Sequence, residues 1–90
     1  MEKTLKEIAD YVGGEVAGDG NIKIKGVMTI DEAREGYITF VSNKKYIKKL
    51  EQTGASAVIT SSDIVTENKN LLITKNPYLA FAKVVDLMMN

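Results

Sequence analysis

The sequence predicts a small α/β domain, a mixed β-sheet with flanking helices, in one unit spanning residues 1–90. Three observations carry this. Strand-type and helix-type runs alternate from residue 37 to the end, the pattern of parallel strands joined by crossovers. Two short strand-type runs around Asp19-Gly20 add antiparallel pairing. Ninety residues make a single domain near the small end of what folds unaided.

The elements follow in order. Thr4-Leu5-Lys6-Glu7 is a capping-box sequence: the threonine side chain accepts from the amide three residues on, and Glu7 reaches back. Leu5, Ile8, Ala9 and Val12 then share one helical face, and Gly13-Gly14 ends the helix in the left-handed conformation glycine adopts cheaply. Glu15-Val16-Ala17 and Asn21–Lys25 read as two strands of a hairpin turned at Asp19-Gly20, with Gly26 as a bulge before Val27. Asp31–Gly36 reads as one helical turn closed by glycine. Tyr37–Val41 is a run of β-formers, Ser42-Asn43 a cap, and Lys44–Gln52 a helix with Tyr46, Ile47 and Leu50 as its apolar stripe. Ala55–Thr60 and Leu71–Thr74 are nearly continuous apolar strands of the kind covered on both faces. Ser61-Ser62-Asp63 caps a short turn through Val65, and Glu67–Asn70 is a polar loop. Asn76-Pro77 opens the last helix, with Asn76 as cap and Pro77 where its missing N–H costs nothing. Tyr78, Phe81, Ala82, Val85, Met88 and Met89 are its expected core face. This helix runs to Asn90 without a cap signal, which suggests a piece of a longer chain.

Composition excludes several functions. Twelve basic residues balance twelve acidic ones, so the net basic surface of a generic nucleic-acid binder is missing. There is no cysteine and no histidine, hence no disulfide, no thiolate or imidazole metal site, and no histidine base. Asp31 and Glu32 make a poor acid–base pair, being adjacent and without apolar surroundings to separate their pKa values. Gly18-Asp19-Gly20 lacks the third glycine of a dinucleotide fingerprint and precedes a strand, and no GxxxxGK[ST] stretch exists. No run approaches the length of a membrane span. The residues thus point to binding without catalysis: no catalytic residue, metal or cofactor is expected within these ninety residues.

One stretch stands out for binding. Phe40 ends its strand and Tyr46 lies in the first turn of the following helix, so both can face the connecting turn and hold a flat ring. By residue type alone a core role for both comes first, since aromatics are usually buried structure. Asn43 can cap the helix and still offer its amide to a ligand. Lys44 and Lys45 stand at a helix start, where free amides attract anions. The pairs Lys44–Lys48 and Lys45–Lys49 repel, costing about 0.2–0.5 kcal/mol each on a solvated helix. Lysines that merely solubilise the helix remain the alternative.

The whole chain resembles the N-terminal domain of UDP-3-O-(3-hydroxyacyl)glucosamine N-acyltransferases, enzymes of lipid A synthesis. The resemblance rests on Leu5–Ala9, Gly18–Gly20 with Ile22, Ile24 and Gly26-Val27, and above all on Gly36–Tyr46, Ala55–Ile59 and Lys75–Ala82. It implies a fold similar to the UDP-binding N-terminal domain of Mur ligases and a site for the uridine part of UDP-acylglucosamine. Phe40 and Tyr46 would sandwich the uracil, Asn43 would contact the phosphate or sugar region, and Lys44 or Lys45 would support the diphosphate. Asn76, Pro77 and Tyr78 match too, but capping explains them, and they are read as structural. The family's catalytic histidine belongs to a trimerising β-helix of hexapeptide repeats, which also binds acyl carrier protein together with a helical part. None of these is present, so this chain alone is expected to be an inactive monomer from a cytoplasmic homotrimer, with the inner face of the inner membrane as an alternative location. Competing readings are the N-terminal domain of a Mur-type ligase and an interaction module that docks through its lysine helix.

Overall fold

A computed structural model of the chain describes residues 2–64 and 66–89. The elements run β1 (Lys3–Thr4), α1 (Leu5–Val12), β2 (Glu15–Ala17), β3 (Lys23–Ile24), β4 (Gly26–Val27), β5 (Tyr37–Phe40), a 3₁₀ turn (Lys44–Tyr46) leading into α2 (Ile47–Gln52), β6 (Ala57–Thr60), β7 (Leu71–Ile73) and α3 (Pro77–Met89). The α/β class with a mixed sheet is what the alternation of runs implied. Five strands lie in the order β2-β7-β6-β5-β4. The pairs β4–β5, β5–β6 and β6–β7 are parallel, and β2 joins β7 antiparallel.

The caps form as their residue types require. Thr4 accepts the Glu7 N–H at 3.1 Å while Glu7 accepts the Thr4 N–H at 2.9 Å. Gly13 closes α1 at φ +76. Asn76 caps α3 by accepting the Leu79 N–H at 3.1 Å, and Pro77 is its first residue. The helical turn expected at residues 31–36 is replaced by two tight turns, in which the Glu32 and Ala33 amides close on the Thr29 carbonyl and the Tyr37 amide closes on the Arg34 carbonyl. Ile64 donates to the Ser61 carbonyl in the turn after β6, whose expected end at Val65 lies outside the described residues.

The hairpin expected at Asp19-Gly20 does not form. Instead β2 pairs with β7, and β3 pairs back to β1. Gly18, at φ +122, turns the chain away, and Asn70 holds the new direction by accepting the Asp19 N–H at 2.9 Å. The Leu5 and Lys6 amides then take the Ile22 and Gly20 carbonyls, drawing the segment to the start of α1. The local signal gave a turn; the competition for a partner went to β7, an apolar strand distant in sequence. Nor is Gly26 a bulge. It pairs regularly opposite Tyr37, and a Cβ there would sit 3.2 Å from the tyrosine ring. The chain passes between the two sheets at Lys25, just before it.

The sheet is buried on both faces, which makes a three-layer domain. Alternation along the strands sends Ile38, Ala57, Ile59 and Leu72 to the face covered by Leu5 and Ile8 of α1 and Ala80 and Val84 of α3. Val58 and Leu71 point to the opposite face, against Leu50 of α2 and Ile64. All four residues of β6 are buried, as its continuous apolar run implied. Thr39 is fully buried beside them on β5, and its hydroxyl has no hydrogen-bond partner among the described residues.

Two helices differ from expectation. The stretch from Lys44 does not start as an α-helix. Asn43 Oδ1 takes the Lys45 N–H at 3.0 Å, two residues on, and the Tyr46 N–H closes on the Asn43 carbonyl. That tight turn makes the first three residues 3₁₀ and carries Tyr46 out of the apolar stripe, which consists of Ile47 and Leu50. In α3 the buried set is Pro77, Ala80 and Val84, with Phe81, Leu87 and Met88 packed beside them. Ala82 and Met89, expected in the core, are exposed, as is Tyr78 at 69%. The helix is apolar over so much of its circumference that periodicity alone did not fix which part faces the sheet.

Candidate functional site

The parallel strands β4 and β5 end side by side, and their following loops meet at the carboxyl edge of the sheet, where open α/β sheets hold ligands. A cleft of about 260 Å³ opens there, lined by Thr29, Ile30, Phe40, Val41, Ser42 and Tyr46. Phe40 and Tyr46, singled out from the sequence, therefore line one cavity. They are held differently. Phe40, last residue of β5, is half-buried, with the ring of Phe81 tilted against it at 4.5 Å between centroids and that of Tyr78 in a T-shaped contact at 5.9 Å. Tyr46, 38% exposed, extends from the 3₁₀ turn. Phe40 is thus both core and cleft wall, while Tyr46 stands outside the core.

The lysines around this turn divide by partner. Lys49 pairs with Asp31 at 2.8 Å, and Lys44 approaches Asp63 at 3.8 Å. The hydrogen bond to Asp31 raises the Lys49 pKa. The Asp63 carboxyl is held below its ordinary value first by the Ser61 hydroxyl that donates to it, with Lys44 a smaller cause. These acids relieve the like-charge repulsion that the sequence showed, so no anion is needed to explain it. Lys45 differs: its Nζ stands 5.1 Å from the centre of the Tyr46 ring, with Lys49 Nζ at 5.6 Å. Positive charge thus lies directly beside the aromatic wall. Asn43 uses its carbonyl oxygen as the cap, which leaves its amide N–H groups to a ligand. Asn43, Lys44 and Lys45 follow Ser42 on the same turn but do not line the cleft itself.

Thr29, Ile30 and Tyr78 were not read from the sequence as parts of this site. Thr29 and Ile30 reach the cleft only because β4 runs parallel to β5, a pairing hidden in a two-residue strand. Tyr78, read as structural, is an exposed ring in T-shaped contact with Phe40. A larger opening of about 490 Å³ lies at the ends of β6 and β7, lined by residues such as Glu15, Ser61, Asp63, Thr74 and Lys75. No aromatic lines it, so the chemistry of a flat ring belongs to the smaller cleft. Among the described residues no cluster of three or more acidic side chains could hold a metal ion.

Comparison with known proteins decides the family. Residues 21–87 match the family LpxD, UDP-3-O-(3-hydroxymyristoyl) glucosamine N-acyltransferase. The chain belongs to this family. A UDP-3-O-acylglucosamine N-acyltransferase from Geobacter sp. (strain M21) is 51% identical over 87 residues, covering 97% of this chain and 25% of the relative. One from Syntrophotalea carbinolica is 52% identical over 82 residues, 91% of this chain and 24% of the relative. One from Syntrophus aciditrophicus is 48% identical, with 97% and 24% covered. The chain spans about a quarter of the length of these acyltransferases. The family match displaces the ligase alternative. Among the described residues no helix is long and apolar enough to cross a membrane.

Proposed function

We propose that this chain is the substrate-binding domain of an N-acyltransferase of lipid A biosynthesis, and that the cleft between Phe40 and Tyr46 takes the uracil of UDP-acylglucosamine. The observation that carries the reading is that an aromatic at a strand end and another at a helix start wall one mostly apolar cleft. A planar base stacks on such walls with about 1–3 kcal/mol per ring, largely whatever its identity. Charge and hydrogen-bond donors lie on one side of it. The Asn43 amide and Lys45, which among the described residues has no ion pair like those of Lys44 and Lys49, are the groups for the diphosphate. Lys44 is the lesser candidate, because Asp63 already engages it.

The remaining chemistry belongs to the complete protein. It would transfer a 3-hydroxyacyl chain from acyl carrier protein to the 2-amine of the glucosamine, in the cytoplasm and as a homotrimer. The ninety residues contain no histidine or cysteine to act as base or nucleophile. By themselves they should catalyse nothing and sediment as a monomer; measurable acyl transfer by this chain would contradict the assignment. The site is tested by amide NMR titration with UMP and UDP-N-acetylglucosamine, with CMP as control. Saturable shifts confined to residues 29–30 and 40–46 are the expected result. Shifts elsewhere on the domain, with these residues silent, would remove the cleft from consideration.

A further inference from the structure

Helix α3 carries a second apolar face that the described residues leave largely uncovered. Placed at 3.6 residues per turn, its apolar residues other than Leu79 form a continuous arc of roughly 220°; Leu79, 50% exposed, stands on the remaining strip between Asp86 and Lys83. A surface helix facing a core needs a stripe only somewhat over about 100° wide. The sheet takes one part of this arc through Pro77, Ala80, Phe81, Val84 and Met88. The adjoining part holds Tyr78, Ala82, Val85 and Met89, spaced i, i+4, i+7, i+11. Tyr78 is 69% and Met89 78% exposed, Ala82 is exposed and Val85 half-buried. Lys83 and Asp86 lie on the third strip of the helix, so the charged residues of α3 are kept off this face. The stripe begins beside the cleft, since the Tyr78 ring meets Phe40 edge-on.

We infer that this stripe is the docking face for the part of the polypeptide that the family carries beyond the matched quarter. Two facts select that occupant. The relatives are about four times as long as the stretch they share with this chain, so a large body of protein is available on the same polypeptide. And the stripe is small. A stable association of separate molecules generally buries about 1,200–2,000 Å², far more than four side chains on one helix supply. A tethered segment meets its site at an effective concentration in the millimolar range and holds a much smaller contact. The docked segment would lie against Tyr78 and so stand beside the Phe40 side of the cleft.

Hydroxyl-radical footprinting reads the exposure of these side chains directly. The 90-residue chain is compared with a longer protein in which it replaces the matched quarter of the Geobacter sp. relative. Oxidation of Tyr78 and Met89 should drop in the longer protein to the level of buried Leu50, while Tyr11, 51% exposed on α1, stays as it was. Unchanged oxidation of Tyr78 and Met89 with Tyr11 also unchanged would overturn the inference. If the longer protein does not fold, the natural Geobacter sp. enzyme is footprinted against its own matched segment, and equal exposure of the helix corresponding to α3 would likewise overturn it. Protection that rises with concentration in the 90-residue chain, with a dimer in sedimentation, would assign the face to a second copy instead. The docking face is read by footprinting and the uracil site by UMP titration of Tyr46→Ala, a residue of the turn before α2 and not of α3, so the two can fail separately.

Discussion

The two walls of the cleft should respond differently to the same substitution. Replacing Phe40 by alanine removes a ring that packs on Phe81 at 4.5 Å and on Tyr78 at 5.9 Å. Each aromatic pair contributes about 0.5–1.5 kcal/mol beyond its buried area. Adding the part of the ring that lies in the core, and scaling down from full burial, gives a loss of about 2–4 kcal/mol. In a domain of this size that lowers the melting temperature by more than about 10 °C. Tyr46 is 38% exposed, and its ring neighbours are the ammonium groups of Lys45 and Lys49. Contacts of that kind at an exposed site are worth about 0.5–1 kcal/mol, so Tyr46→Ala should melt within a few degrees of the parent. Binding should fall alike in both, because stacking on either wall is worth about 1–3 kcal/mol, or roughly 5- to 150-fold in affinity. Phe40→Leu, which keeps apolar volume without a ring, serves where Phe40→Ala unfolds. The assay pairs thermal melts with titrations of UMP. A folded Tyr46→Ala protein that binds UMP as tightly as the parent would refute the two-walled site. Equal thermal losses for Tyr46→Ala and Phe40→Ala would refute the geometry given for Tyr46.

Four further outcomes follow from the fold. Thr39→Val should raise stability by about 1–3 kcal/mol in a denaturant melt, since it removes a fully buried hydroxyl without a partner; a loss of stability would mean that the hydroxyl is engaged. Gly18→Ala should destabilise by more than about 1 kcal/mol, because φ is +122 and a Cβ would collide with the Asn70 side chain; a neutral melt would contradict the turn described for residues 18–20. Thr4→Ala should cost about 1 kcal/mol through the lost cap. The backbone hydrogen bond from Thr4 is the first cause that lowers the Glu7 pKa, followed by the Thr4 side chain. A carboxylate lowered on folding stabilises above its unfolded value, about 4.3 for glutamate, and that contribution is lost as pH falls through the lower folded value. Glu7→Gln should therefore flatten the acid limb of the stability profile below that pH and leave its neutral part shaped as before; an unchanged acid limb would argue against the capping box.

What the sequence determined by itself was whatever a few neighbouring residues decide. The capping box at Thr4, the left-handed Gly13, the Asn76-Pro77 start and the apolar run of β6 are all local energetics, and all appear where they were read. The stretch from Phe40 to Tyr46 was legible as a possible ring site because strand, cap and helix start follow one another within seven residues. Tertiary structure decided what depends on partners distant in the chain. Whether β2 paired with β3 or with β7 was a competition that the buried, apolar β7 won. The parallel alignment of β4 with β5 brought Thr29 and Ile30 into the cleft, and no short-range pattern encodes such a pairing. The Asn43 turn swung Tyr46 off the apolar stripe, and packing against Phe81 and Tyr78 fixed Phe40 in place. In α3 the apolar arc is wider than one sheet contact can bury, so burial chose the face that composition left open and kept a second one exposed.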